Sequence, residues 1–146
     1  MINNFTIKND INNSKKYTFI KEFIAKDLLR HKEIFPENLK IILYDYENLE
    51  NKTGLFIHGA DIIVDINLIE ILRLYKKGHG FLHRSDIKHL PEFKSFKNYL
   101  LFVLYHELGH YNLKHCFNMD HYFINRNVCE LEADKFSLEI LEIKGG

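Results

Sequence analysis

Tryptophan is absent, proline and cysteine occur only twice each, and the formal net charge is zero. Each shortage excludes something. Cys116 and Cys129 have no CxxC spacing and cannot form a disulfide framework, so each is expected to be a small buried thiol. Twenty basic residues balance twenty acidic ones, which gives no reason to expect nucleic acid or an anionic membrane as a partner. Long apolar runs are missing as well. The longest, Tyr99 to Tyr105, has seven residues, far short of the roughly 20 that span a bilayer. Met1 to Lys16 is polar and Asn-rich, without the apolar stretch of a secretory signal. A cytoplasmic protein with no membrane segment is therefore expected. Repeats and low-complexity linkers are also lacking, and 146 residues correspond to about one domain, 1–146.

The remaining composition, 46% hydrophobic and 27% charged, is that of an ordinary globular chain. Tyr17, Ile20, Ile24 and Leu28 repeat at helical spacing behind possible caps at Asn12, Asn13 and Ser14, and this helix should stop before Pro36. Lys40 to Tyr46 reads as a strand. Leu55 to His58 and Ile62 to Ile66 read as a hairpin joined by the three residues Gly59-Ala60-Asp61. Asn67 is placed to cap a helix through Ile69, Leu72 and Tyr75. The segment from Lys76 to Lys97 is basic, holds His79, His83 and His89, and reads as a long loop that could cover a cleft.

The chemistry concentrates in His106-Glu107-Leu108-Gly109-His110. On a helix, residues four apart share a face, so His106 and His110 can aim two imidazoles at one metal ion with Glu107 beside them. A Zn²⁺ held with one open position lowers the pKa of bound water to about 7. Glu107 could then take the proton as that water attacks a carbonyl polarised by the same metal. The preceding run Tyr99 to Tyr105 is apolar on every face, as expected of a buried central helix that holds ligands rigidly. Gly109 costs roughly 1 kcal/mol of helix stability relative to Ala, which makes sense where another element packs closely.

A catalytic zinc site needs a third protein ligand. Cys129, Ala133, Phe136, Ile140 and Ile143 define the expected buried stripe of a second helix, with Glu130 and Asp134 on a face flanking it. Glu130 can complete a His₂Glu set, and Asp134 can accept the free ring N–H of a ligating histidine. Glu132 is the fallback ligand. A rival reading makes Asn127 and Glu130 the two ends of a helix-capping box. A histidine third ligand fails because Leu113 and Cys116 stand where H-E-x-x-H-x-x-G-x-x-H requires Gly and His. For the oxyanion donor, Tyr111, His115, His121 and Tyr122 are all candidates, and the choice stays open.

The pair H-E-L-G-H and E-x-E-A-D followed by an aromatic resembles the gluzincin branch of the zincin metallopeptidases, over about residues 54–143. Within it, the ImmA/IrrE-type peptidases are small and soluble and are associated with inactivating repressors. The HtpX- and BepA-like peptidases share H-E-x-x-H-x-x-x-x-H, matched here by His115, and a strand-rich lead-in. Either resemblance implies Glu130 as ligand and Glu107 as base; the stretch from Ile69 to Asn98 departs from both patterns. The implied fold is α+β, a minimal zincin with a small twisted, mostly antiparallel sheet packed on a central active-site helix and a C-terminal helix closing the metal site. The implied function is a zinc endopeptidase acting on a protein or peptide partner, such as a repressor. The alternatives are a metal-keeping module that acts by docking, and a quality-control peptidase. In zincin relatives a sheet-edge strand holds the substrate extended, and Ile62 to Ile66 is the match by order along the chain.

Overall fold

The computed structural model describes residues 5–10, 17, 19–36, 38–45, 53–76 and 93–142. Two compact units make up the chain, Met1–Glu70 and Ile71–Gly146. The class is α+β, with one four-stranded mixed sheet and several helices.

In the first unit, Phe5–Asp10 forms β1, and Ile20–Leu29 forms the helix α1 with Ile20, Ile24 and Leu28 buried. The expected cap residues 12–14 lie outside the described residues. A 3-10 turn at Lys32–Ile34 ends this stretch before Pro36. Leu39–Tyr44 forms β2, Gly54–His58 forms β3 and Asp61–Asn67 forms β4. The sheet order is β1-β2-β4-β3. Its register sets Ile7 opposite Ile41 and Ile41 opposite Val64, a buried row across three strands. Successive side chains point to opposite faces, so Leu39 and Leu43 on β2 and Ile62 and Ile66 on β4 join that core face.

Three expectations need correction here. The sheet is not mostly antiparallel: β1 pairs β2 and β2 pairs β4 in parallel, and only β3 and β4 are antiparallel. The pattern along the sequence reveals a hairpin, because its strands are neighbours, whereas parallel partners are joined by longer crossovers. The strand β1 goes unmarked in the sequence, its Phe5–Ile7 alternation being too short to stand out in an Asn-rich stretch. Secondly, Ile62 to Ile66 is not an edge strand. β4 is paired on both sides, so its backbone groups are committed to β2 and β3 and cannot receive an extended substrate. The edges of the sheet are β1 and β3. The hairpin connection is also shorter than expected, Gly59-Ala60, because Asp61 already pairs with His58. Gly59 has φ 63°, the positive value that the first position of a type II′ turn requires.

Asn67 caps the next helix, α2 (Leu68–Lys76), its Oδ1 accepting from the backbone N–H groups of Ile69 and Glu70 at 3.1 and 3.2 Å. In the second unit, Phe96–Asn112 forms α3, capped by Ser95, whose Oγ accepts from the Asn98 N–H. Every residue from Tyr99 to His110 is buried, as an all-round apolar helix requires. Aromatic rings of Tyr75, Phe93 and Phe96 pack around Tyr99 and Phe102 at its N-terminal end. Met119–Ile124 forms the short α4, and Arg126–Ile140 forms α5, which packs along α3. The segment 77–92, with His79, His83 and His89, lies outside the described residues, as does the side chain of Cys116. Among the described residues no helix is long and apolar enough to cross a membrane.

Candidate metal centre

The close approach of α3 and α5 builds the centre. A Cβ on Gly109 would lie 3.0 Å from the Phe136 ring and 3.4 Å from the Ala133 Cα, so a hydrogen at this position lets the helices touch between the two histidines. Ser137 ties the pair together further along, its buried Oγ donating to the Phe102 carbonyl at 2.7 Å. The buried face of α5 is Cys129, Glu130, Ala133, Asp134, Ser137 and Leu138. This corrects the expected stripe: Glu130 and Asp134 lie within the buried face rather than beside it, while Phe136 and Ile140 are only half-buried. Burying carboxylates is costly unless they are paired, and both find partners on α3.

His106 Nε2 and Glu130 Oε2 are 2.8 Å apart, His106 Nε2 and His110 Nε2 3.1 Å, and His110 Nε2 and Glu130 Oε2 3.3 Å. Three donor atoms thus converge on one point from two helices. Zinc bonds of about 2.0–2.1 Å in tetrahedral geometry place ligand atoms roughly 3.3 Å apart, so this set fits a small divalent cation with little adjustment. On the other edge of the His106 ring, Nδ1 lies 2.8 Å from Oδ1 of the fully buried Asp134. Glu107 is buried next to His106 on α3 and adds its negative charge to that ring's surroundings. The capping-box reading of Glu130 is not what forms: α5 starts at Arg126, its N-cap is Asn125, and no side chain caps it.

Of the four candidate oxyanion donors, the structure brings two to the cluster. The Tyr122 hydroxyl donates to Glu130 Oε1 at 2.6 Å, and its ring meets His110 edge-on at 5.8 Å. His115 reaches His110 from behind, Nδ1 to Nδ1 at 2.9 Å, with its own Nε2 3.0 Å from Glu132 Oε1. His121 is exposed and pairs with Asn125, and Tyr111 packs on Phe117. Glu132, the fallback ligand, therefore serves His115 instead. His115, Cys129 and Glu132 form a second group whose ligand atoms lie within 4.8 Å of one another.

The electrostatics follow from this packing. Burial alone would lower the His106 pKa, but the bonds to Asp134 and Glu130, with the charges of Glu107 and Asp134, raise it to about 9. Burial disfavours ionised Glu130, yet His106 and His110 outweigh it and hold the carboxyl far below the ordinary carboxylate range. Tyr122 is pushed above the usual phenol range by burial and by its bond to Glu130, so its proton stays in place. Burial pushes His115 down against the pull of Glu132, and Cys129 up, with the charges of Glu132 and Glu130 adding to the rise. Metal ligation draws on neutral imidazole and ionised carboxylate; the centre supplies the carboxylate ready-made and must release the proton on His106.

No family model, curated protein or solved structure matches the chain. The centre stands on its own geometry: two histidines one helical turn apart, a carboxylate from a second helix, and a buried acid next to the first histidine.

Proposed function

We propose that this protein is a zinc-dependent endopeptidase that hydrolyses a peptide bond in a protein partner, such as a repressor or regulator. The observation that carries this reading is the convergence of His106 Nε2, His110 Nε2 and Glu130 Oε2 to within 3.3 Å of one another beside a buried Glu107. A zinc ion bound by this set supplies a Lewis acid and makes water acidic near neutral pH. His106, His110 and Glu130 would hold it. Asp134 fixes the His106 ring by accepting its Nδ1–H, which leaves Nε2 free to ligate. Tyr122 orients Glu130, donating to Oε1 so that Oε2 faces the histidines. Glu107 is the base: its carboxylate takes the proton from the attacking water and returns it to the leaving amine. A binding module with no chemistry would have no use for an acid in that position.

Metal analysis and a trapping variant test this together. Wild-type protein should carry one zinc per chain, and His106→Ala or His110→Ala should abolish tight binding. Glu107→Gln should keep the zinc and the fold, capture the partner from a lysate, and cleave it at least about 100-fold more slowly than wild type. A Glu107→Gln variant that cleaves as fast as wild type would overturn the mechanism. Capture of the same partner by wild type, with no cleavage, would favour a docking role instead.

A further inference from the structure

We propose that His115 and Glu132 are positioning residues for His110, forming a relay in which one proton per contact fixes the ring so that Nε2 is presented to the metal. The inference rests on the proposed metal site, since it concerns how His110 is prepared for ligation.

Proton counting carries the argument. His110 Nε2 belongs to the converging donor set, 3.1 Å from His106 Nε2 and 3.3 Å from Glu130 Oε2. A neutral imidazole that ligates through Nε2 carries its hydrogen on Nδ1. The Nδ1 of His110 lies 2.9 Å from the Nδ1 of His115, a distance at which one nitrogen donates and the other accepts. His110 must be the donor, so His115 accepts at Nδ1 and keeps its own hydrogen on Nε2. That nitrogen lies 3.0 Å from Glu132 Oε1, an acceptor that needs this hydrogen. A single assignment therefore satisfies every contact from Glu132 to the donor set. His115 is buried, and the chain delivers it there by a reversal at Lys114, whose φ of 64° is left-handed.

The same count weighs against the obvious alternative, a second metal on His115, Cys129 and Glu132. A metal on His115 Nε2 would move that ring's hydrogen to Nδ1, where it would meet the hydrogen on His110 Nδ1 at 2.9 Å. A metal on His115 Nδ1 would take away the acceptor of His110. Either arrangement conflicts with ligation by His110.

Zinc affinity by chelator competition, together with imidazole ¹⁵N spectra of the zinc-loaded protein, tests the relay without reference to activity. The spectra should show His110 protonated on Nδ1 and His115 protonated on Nε2. His115→Phe should weaken zinc binding about 10–100-fold. His115→Asn, whose Oδ1 can still accept from His110, should recover most of that loss. Glu132 is half-exposed, so Glu132→Ala leaves the fold intact; it should weaken zinc binding in wild type and do nothing further in His115→Phe, because the two act in series. Wild type that binds one zinc with an affinity indifferent to His115→Phe overturns the relay and leaves the metal site standing. Two zincs per chain, the second lost in Cys129→Ser, overturns it in favour of a second metal site. Wild type that takes up no zinc overturns the metal site and the relay with it.

Discussion

His106 and His110 stand one turn apart on the same helix, and the protein supports them by opposite means. Behind His106 is a carboxylate in direct contact, Asp134, with no exposed surface. Behind His110 is a second imidazole, His115, and only then a carboxylate, Glu132, whose side chain is 52% exposed. A buried charge-assisted hydrogen bond acts in a low effective dielectric, whereas an exposed carboxylate is screened by water and salt. The first arm can therefore pull hard on the electrons of its histidine. The second chiefly fixes an orientation. A metal held as proposed would meet one strongly polarised histidine and one adjustable one.

The largest difference between the arms should come from neutralising the buried carboxylate. Asp134→Asn keeps an oxygen for the His106 Nδ1–H but removes the charge, and zinc affinity or peptidase rate should fall about 10–100-fold. Glu132→Gln, the same change on the exposed arm, should cost less in the same titration. Equal losses from both would break the distinction drawn here, and no loss from Asp134→Asn would demote that residue to a packing role.

A smaller effect separates the arms by pH in the metal-free protein. His106 has its pKa raised from 6.5 to about 9, after Asp134 and Glu130 overcome burial. The stability this contributes is fully present below pH 6.5 and is lost as pH rises towards about 9. His115 is lowered, by burial first, so its contribution is present above its unfolded pKa and is lost as pH falls below it. Thermal melts of chelator-treated protein should thus show a decline on the alkaline side that Asp134→Asn flattens, and an acid-side decline that His115→Phe flattens. If Asp134→Asn leaves the alkaline limb unchanged, the proton on His106 is not held by that carboxylate.

How much of this was legible beforehand depends on distance along the chain. His106, Glu107 and His110 are set by the local geometry of one helix, and Glu130 and Asp134 by that of another, so residue spacing was enough to nominate them. The buried face of α5 is not legible in the same way, because Glu130, Asp134 and Ser137 look like solvent residues until their partners on α3 are known. The His115–Glu132 contact was hidden for a different reason. It depends on a left-handed turn at Lys114, where no glycine advertises the bend. In the first unit the hairpin was readable and the parallel pairings were not, since nothing in β1 or β2 names its partner. Chain order does not place the strand Ile62 to Ile66 at an edge either: a strand's position within a sheet is a property of all the pairings together.

The smallest effect predicted concerns what the two arms share. Gly109 lies between the histidines, against α5, and Gly109→Ala would put a methyl 3.0 Å from the Phe136 ring and 3.4 Å from the Ala133 Cα. Alanine favours the helix by up to about 1 kcal/mol over glycine, and overpacking typically costs about 1–3 kcal/mol. Phe136 is only half-buried and can yield by the few tenths of an ångström required, which puts the overpacking near the low end of that range. The two terms then nearly cancel, and the melting temperature should move by no more than a few degrees. Zinc affinity should fall only slightly, because a shift of α5 by a few tenths of an ångström moves Glu130, Glu132 and Asp134 as one body and leaves their mutual spacing unchanged. Chelator competition on Gly109→Ala checks this. A loss as large as that of Asp134→Asn would mean that the spacing of the helices, rather than the separate bonds behind each histidine, controls the centre, and the contrast between its two arms would lose its force.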